Sequence, residues 1–176
     1  MSNLVRPSRA RHEAGRARVM AVVLAVAVIV ASPQASVEAQ EVGDPVRLAG
    51  AGPVAVRVAV EWDEQITNTA GGATEDQYHE AVLQTFRQSL EGTEVPLADD
   101  AEAFVLCGVQ TYYDRGLIAY SVRVEYQEPL GPDGAPVVSW QRSWVGTTAV
   151  GGLHQMFALG EQCATDFAEA WSAVNP

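Results

Sequence analysis

Five arginines, at positions 6, 9, 11, 16 and 18, precede an unbroken apolar run from Val19 to Ala31, and this arrangement decides which part of the chain is left to fold. A basic stretch followed by a short oily one is the layout of a secretory signal peptide. The run stops at Ser32 and Pro33, short of the roughly 17 to 25 apolar residues that a spanning helix uses. Small residues frame Val37-Glu38-Ala39, so cleavage is expected before Gln40, with Pro33-Gln34-Ala35 as the second candidate and retention as an anchor as the competing outcome. No cysteine lies near the junction and there is no Arg-Arg pair, which points to general secretion without a lipid anchor. The expected organisation is a signal peptide over 1–39, a Gly- and Pro-rich mobile lead-in over 40–53, and a single α+β domain over 54–176. That domain is expected in the periplasm or outside the cell, with no stable membrane anchor after cleavage.

Removing residues 1–39 leaves six arginines against twenty acidic residues, a net charge of −14. Affinity for phosphate backbones and anionic lipid comes from Lys and Arg neutralising phosphates, so nucleic acid is excluded as a partner. The chain has two cysteines, Cys107 and Cys163, both beyond the leader. In an oxidising compartment an even pair reads as a disulfide, with two buried thiols as the alternative.

Residues Val54, Val56, Val58, Val60 and Trp62 alternate with Ala55, Arg57, Ala59 and Glu61, the period of a strand with one buried side. A loop ending in Gly71-Gly72 follows, and then Thr74 and Gln77 stand at capping-box spacing. Tyr78, Val82, Phe86 and Leu90, each four apart, form the stripe of an amphipathic helix closed by Gly92. Phe104–Tyr113 is apolar on both faces and predicts a central strand. Asp114-Arg115-Gly116 predicts a three-residue hairpin loop, Leu117–Gln127 the returning strand, Gly131-Pro132-Asp133-Gly134 a second turn, and Val137–Thr147 the last strand. Leu153–Ala173 closes the chain as a helix with Cys163, Phe167 and Trp171 on its apolar stripe. The order βαβββα predicts a two-layer α+β sandwich, a mainly antiparallel four-stranded sheet with both helices on one face. A Cys107–Cys163 bond would then staple the second helix to the sheet.

The search for chemistry is mostly negative. A nucleophile needs a base and a group that orients it. His79 and His154 have no such company, neither lies at ligand-like spacing from a cysteine, and no Gly-x-Ser-x-Gly elbow occurs. Asp99, Asp100 and Glu102 are the densest acidic group and the basis of one alternative, a carboxylate-dependent extracellular hydrolase. Their spacing does not match a calcium loop, and Gly50-Ala51-Gly52 precedes a strand instead of following one. No catalytic residue, metal ligand or cofactor is assigned. The aromatics are the richer signal: Tyr112, Tyr113, Trp140 and Trp144 crowd the strand meander and are candidate partner-binding residues. Tyr112 and Tyr113 are adjacent on a strand, so one of them is expected on the side away from the helices.

The stretch Asp100-Ala101-Glu102-Ala103-Phe104-Val105-Leu106-Cys107-Gly108, the hairpin, Val138-Ser139-Trp140 and the closing helix together resemble small bacterial envelope domains of βαβββα order. These are the amino-terminal domain of the Tol-system propeller protein and curli-secretion-type periplasmic modules. The resemblance implies an assembly or partner-binding role in the cell envelope and carries over no functional residue. The expected function is therefore an exported, non-catalytic domain binding a protein partner through its sheet, with a small-ligand carrier as a further alternative.

Overall fold

The computed structural model describes residues 40–69, 73–129 and 135–176. The signal peptide, Gly71-Gly72 and the turn Gly131–Gly134 lie outside the described residues.

One mixed sheet organises the molecule. Its strands are β1 (Gln40–Gly43), β2 (Ala55–Glu61), β3 (Phe104–Asp114), β4 (Leu117–Pro129) and β5 (Pro136–Ala149), in the spatial order β1-β5-β4-β3-β2. The pairs β1/β5, β5/β4 and β4/β3 are antiparallel, while β2 and β3 run parallel. The parallel pair is joined through α1 (Glu64–Thr67) and α2 (Glu75–Glu91), as two parallel neighbours require a long crossover. After β5 the chain forms α3 (Leu153–Met156) and α4 (Leu159–Val174).

The α+β class and the order of the main elements agree with the sequence, but the sheet has five strands where four are expected. The additional strand comes from the segment read as a mobile lead-in. Gln40–Gly43 pairs with Ser143–Trp140, and Pro45–Leu48 forms a 3₁₀ turn that buries Leu48 completely. The Asn175 side chain accepts from the Gly50 N–H and donates to the Leu48 carbonyl, so the end of the chain ties this segment down. Each piece is too short to display a period, which is why composition alone reads as a loop.

Local chemistry sets the element ends. Thr74 Oγ1 accepts from the Gln77 N–H and the Gln77 side chain accepts from the Thr74 N–H, the capping box that starts α2. The β3–β4 turn is shorter than the predicted loop. Arg115 and Gly116 both have positive φ (48° and 88°), the two-residue turn whose twist matches antiparallel strands. The closing helix is divided: α3 and α4 are separate, with Phe157 and Ala158 between them.

The long helices pack on the same face of the sheet and against each other. Tyr78, Val82, Phe86 and Leu90 of α2 meet Cys163, Phe167 and Trp171 of α4 in one buried cluster over Val105, Cys107, Val109, Val122, Val124, Tyr126 and Trp140. Gly160 permits the close crossing, because a Cβ there would collide with the Val82 carbonyl and the Thr85 hydroxyl of α2. The Cys107 and Cys163 sulfurs are bonded, joining β3 to α4 as the sequence predicts. Phe167 is ringed by Tyr126, Trp140 and Trp171 at centroid distances of 6.3, 5.9 and 5.9 Å. The buried Tyr78 hydroxyl donates to the Met156 carbonyl at 2.9 Å, fixing α3 to α2.

Candidate functional site

Strand alternation assigns the two faces of the sheet. Cys107 points to the helices, and the register places Val58, Val124 and Arg142 beside it on that face. Their neighbours point the other way: Arg57 and Ala59 on β2, Leu106, Gly108, Gln110 and Tyr112 on β3, Leu117, Ala119, Ser121, Arg123 and Glu125 on β4, and Ser143, Val145 and Thr147 on β5. No described helix covers this second face, so its surface chemistry is open to a partner.

The open face has two unlike halves. In the half near the start of β3, the Arg57 guanidinium lies over the Phe104 ring, 3.9 Å from its centroid, and Phe104 is buried. Arg123 lies across Gly108 and pairs with the buried Glu125 carboxylate at 3.4 Å, which also accepts from Gln127 at 2.7 Å. Gln110 donates to Glu61 at 2.7 Å. Polar side chains thus cap this half with one another.

The half near the β3–β4 turn has its charge only at the tip, where Asp114 pairs with Arg115 at 3.7 Å. Tyr112 is 65 % exposed, Leu117 49 % and Val145 46 %. Tyr112 and Val145, with Ala119, Ser121 and Thr147, border a shallow hollow of about 570 Å³. Exposed apolar surface gathered in one place is the feature expected of a contact site.

The candidate aromatics are distributed unequally. Tyr112 stands on the open face. Tyr113 points to the helix side, is half-buried against the core, and donates its backbone N–H to the Asp63 carboxylate. Trp144 is also half-buried on the helix side. Trp140 is fully buried, packed on Phe167, with its indole N–H donating to the Glu41 carboxylate at 2.9 Å. Trp140 therefore belongs to the core and is removed from the partner-binding set; its aromatic type drew attention that its position does not support. Leu117 and Val145 were missed because aliphatic residues attract no notice without a known face, although their alternation with Ile118 and Trp144 carried the signal.

The acidic group is scattered. Asp99 pairs with Arg87 of α2, while Asp100 and Glu102 share an open hollow of about 480 Å³ with Glu128 and Tyr126. That lining contains no serine, cysteine, histidine, lysine or arginine. Among the described residues, no group of three His, Cys, Asp or Glu is placed to hold a metal ion. His79 bonds the Val58 carbonyl at 3.2 Å, and His154 lies exposed on α3.

Beneath the helices, Arg142 joins three acids, with Asp166 at 3.1 Å, Glu169 at 3.4 Å and Glu41 at 3.6 Å. Burial pushes the Asp166 carboxyl above its ordinary value, and the hydrogen bond and charge of Arg142 oppose that in part. Burial likewise raises the Tyr120 hydroxyl. Arg142 and its three acids tie β1, β5 and α4 together and face away from the open side.

Among the described residues, no helix is long and apolar enough to cross a membrane. No family model matches the chain, and no curated protein matches it significantly. Two solved structures of PelC from Paraburkholderia phytofirmans, both described as dodecamers and one of them a point variant, follow a similar chain course. The variant is 18 % identical, with 74 % of this chain and 96 % of that chain covered and a TM-score of 0.47. The other is 16 % identical, with 76 % and 96 % covered and a TM-score of 0.47.

Proposed function

We propose that this chain is an exported, non-catalytic domain of the bacterial envelope that binds a protein partner through the uncovered face of its sheet. The observation that carries the reading is the division of that face. One half is capped by Arg57 over Phe104, Arg123 on Glu125 and Gln110 on Glu61, while the other leaves Tyr112 and Val145 bare around a hollow. An apolar patch rimmed by polar groups has the anatomy of a protein contact, and an exposed Tyr is a frequent anchor in one. The leader pattern, the bonded cysteines and the resemblance to envelope modules support the compartment.

A photo-crosslinking amino acid placed at Tyr112, and separately at the exposed Gln88 of α2 as a control, tests the site in intact cells. A discrete adduct from position 112 and none from position 88 is expected. Adducts of equal yield from both positions, or none from 112, would refute the assignment. Amino-terminal sequencing of the exported protein is expected to begin at Gln40.

A further inference from the structure

The two edges of the sheet are finished differently. At the β2 edge, Val54 is bridged to Leu97: its N–H donates to the Pro96 carbonyl, and its own carbonyl accepts from the Ala98 N–H. Further along, the Val58 carbonyl is engaged by His79, and the charged Arg57 and Glu61 punctuate the strand. This edge has the blocks that natural sheets use against unwanted pairing.

Among the described residues, the β5 edge beyond its short cover is blocked only at its end, where the Ala149 carbonyl accepts from the Thr148 hydroxyl at 3.3 Å. β1 pairs only with Trp140–Ser143, although β5 continues to Ala149. Over Ser143–Gly152 (SWVGTTAVGG) the sequence contains no charge and no proline. The direction of the free groups follows from one hydrogen bond. Val150 donates its N–H to the Gly116 carbonyl across the β4–β5 pair, so Thr148, Gly146 and Trp144 turn their backbone groups toward β4. The N–H and C=O groups of Val145 and Thr147 then point outward, and no described residue pairs with them. Val145 and Thr147 also border the hollow beside Tyr112, so the free edge and the apolar patch are one continuous surface.

We infer that the free edge of β5 is a strand-addition site that takes an extended segment of a protein partner, antiparallel to Val145–Ala149 and continuing the line of β1. This rests on the partner-binding reading and specifies its mode. The backbone row supplies affinity, and the hollow beside Val145 and Tyr112 receives alternate side chains of the incoming strand. Those side chains are apolar or small. The segment is not acidic, since a carboxylate would be desolvated against Val145 on a body whose net charge is −14.

The probe is a capped peptide alternating valine and threonine with one lysine at each end, compared with a version carrying glutamate in place of threonine and one with a central proline. Binding to the purified exported protein is measured by fluorescence anisotropy, and the amides by hydrogen exchange. The Val–Thr peptide is expected to bind and the other two to lose about ten-fold or more, with the Val145 and Thr147 amides slowed about ten-fold or more in the complex. Thr147→Pro removes an outward N–H without touching the β4 ladder and is expected to abolish binding, as is Val145→Lys, the second variant should the first not fold. If no peptide binds, or if the Val145 and Thr147 amides exchange at their free rate in the complex, the inference is overturned. The Tyr112 crosslink then decides separately whether face binding survives. A change in oligomeric state of Thr147→Pro in the absence of peptide would show that a second copy occupies the edge and would overturn the assignment to a partner.

Discussion

The two faces of one sheet obey opposite rules in this protein. Under the helices, the most deeply buried polar aromatics have both ring partners and hydrogen-bond acceptors: Trp140 has Phe167 and Glu41, and Tyr78 has Trp62, Phe157 and the Met156 carbonyl. On the other face, the Tyr112 ring stands in solvent. The same residue types therefore mean stability on one side and availability on the other. What separates them is whether a helix lies above.

Substitutions on the two faces test that contrast, and the largest effect is expected under the helices. Replacing Cys107 and Cys163 by alanine frees a 56-residue separation, and the chain-entropy account gives a loss of about 4 kcal/mol. Urea unfolding with and without reductant measures it; reductant should lower the parent to the variant's midpoint and leave the variant unmoved. Equal midpoints for the oxidised parent and the variant would show that the staple adds nothing to the covered face.

Next in size is the attachment of β1. Glu41→Ala strands the buried indole N–H of Trp140 and removes one of three acids from Arg142, an expected loss of about 1–3 kcal/mol. Protease sensitivity near Gly43 should rise together with the fall in stability. If stability falls without added cleavage there, β1 is held by something other than this carboxylate.

A smaller, pH-dependent effect is expected at Asp166. Its carboxyl is raised in the folded state, so folding retains the proton to higher pH than the unfolded chain does. The stabilising contribution is complete below the ordinary carboxylate value and is lost as pH rises through the folded value. Asp166→Asn removes this dependence, so its stability relative to the parent should improve as pH rises from the ordinary carboxylate range toward neutrality. A relative stability that falls over that interval would mean that the Arg142 pair outweighs burial.

The smallest change in stability is expected on the open face. Tyr112→Ala should alter it by no more than about 0.5 kcal/mol while removing the partner contact. A large destabilisation would place Tyr112 with the structural aromatics and erase the contrast.

Particular residues explain what was legible beforehand. The α2 stripe Tyr78, Val82, Phe86 and Leu90 is fully buried, as its spacing requires, and the Thr74–Gln77 cap forms as written. The cysteine pair was legible because Cys163 sits on an apolar helical stripe and Cys107 in the most apolar strand. By contrast β1 was hidden, since four exposed residues carry no period and Glu41 resembles a surface acid. Its role exists only because Trp140 and Arg142 come from a strand a hundred residues away in the chain. Trp140 and Trp144 could not be sorted by type, for burial depends on what stands above the strand.

The sequence by itself determined the long elements, their order and the side each residue shows, because helical and strand periods are local properties of the backbone. Tertiary structure alone decided which side became interior, which edge stayed unpaired and which apolar residues remained bare, because those follow from where α2, α4 and β1 come to rest. A strand's alternation names two faces; only the packing of a distant segment says which one meets water.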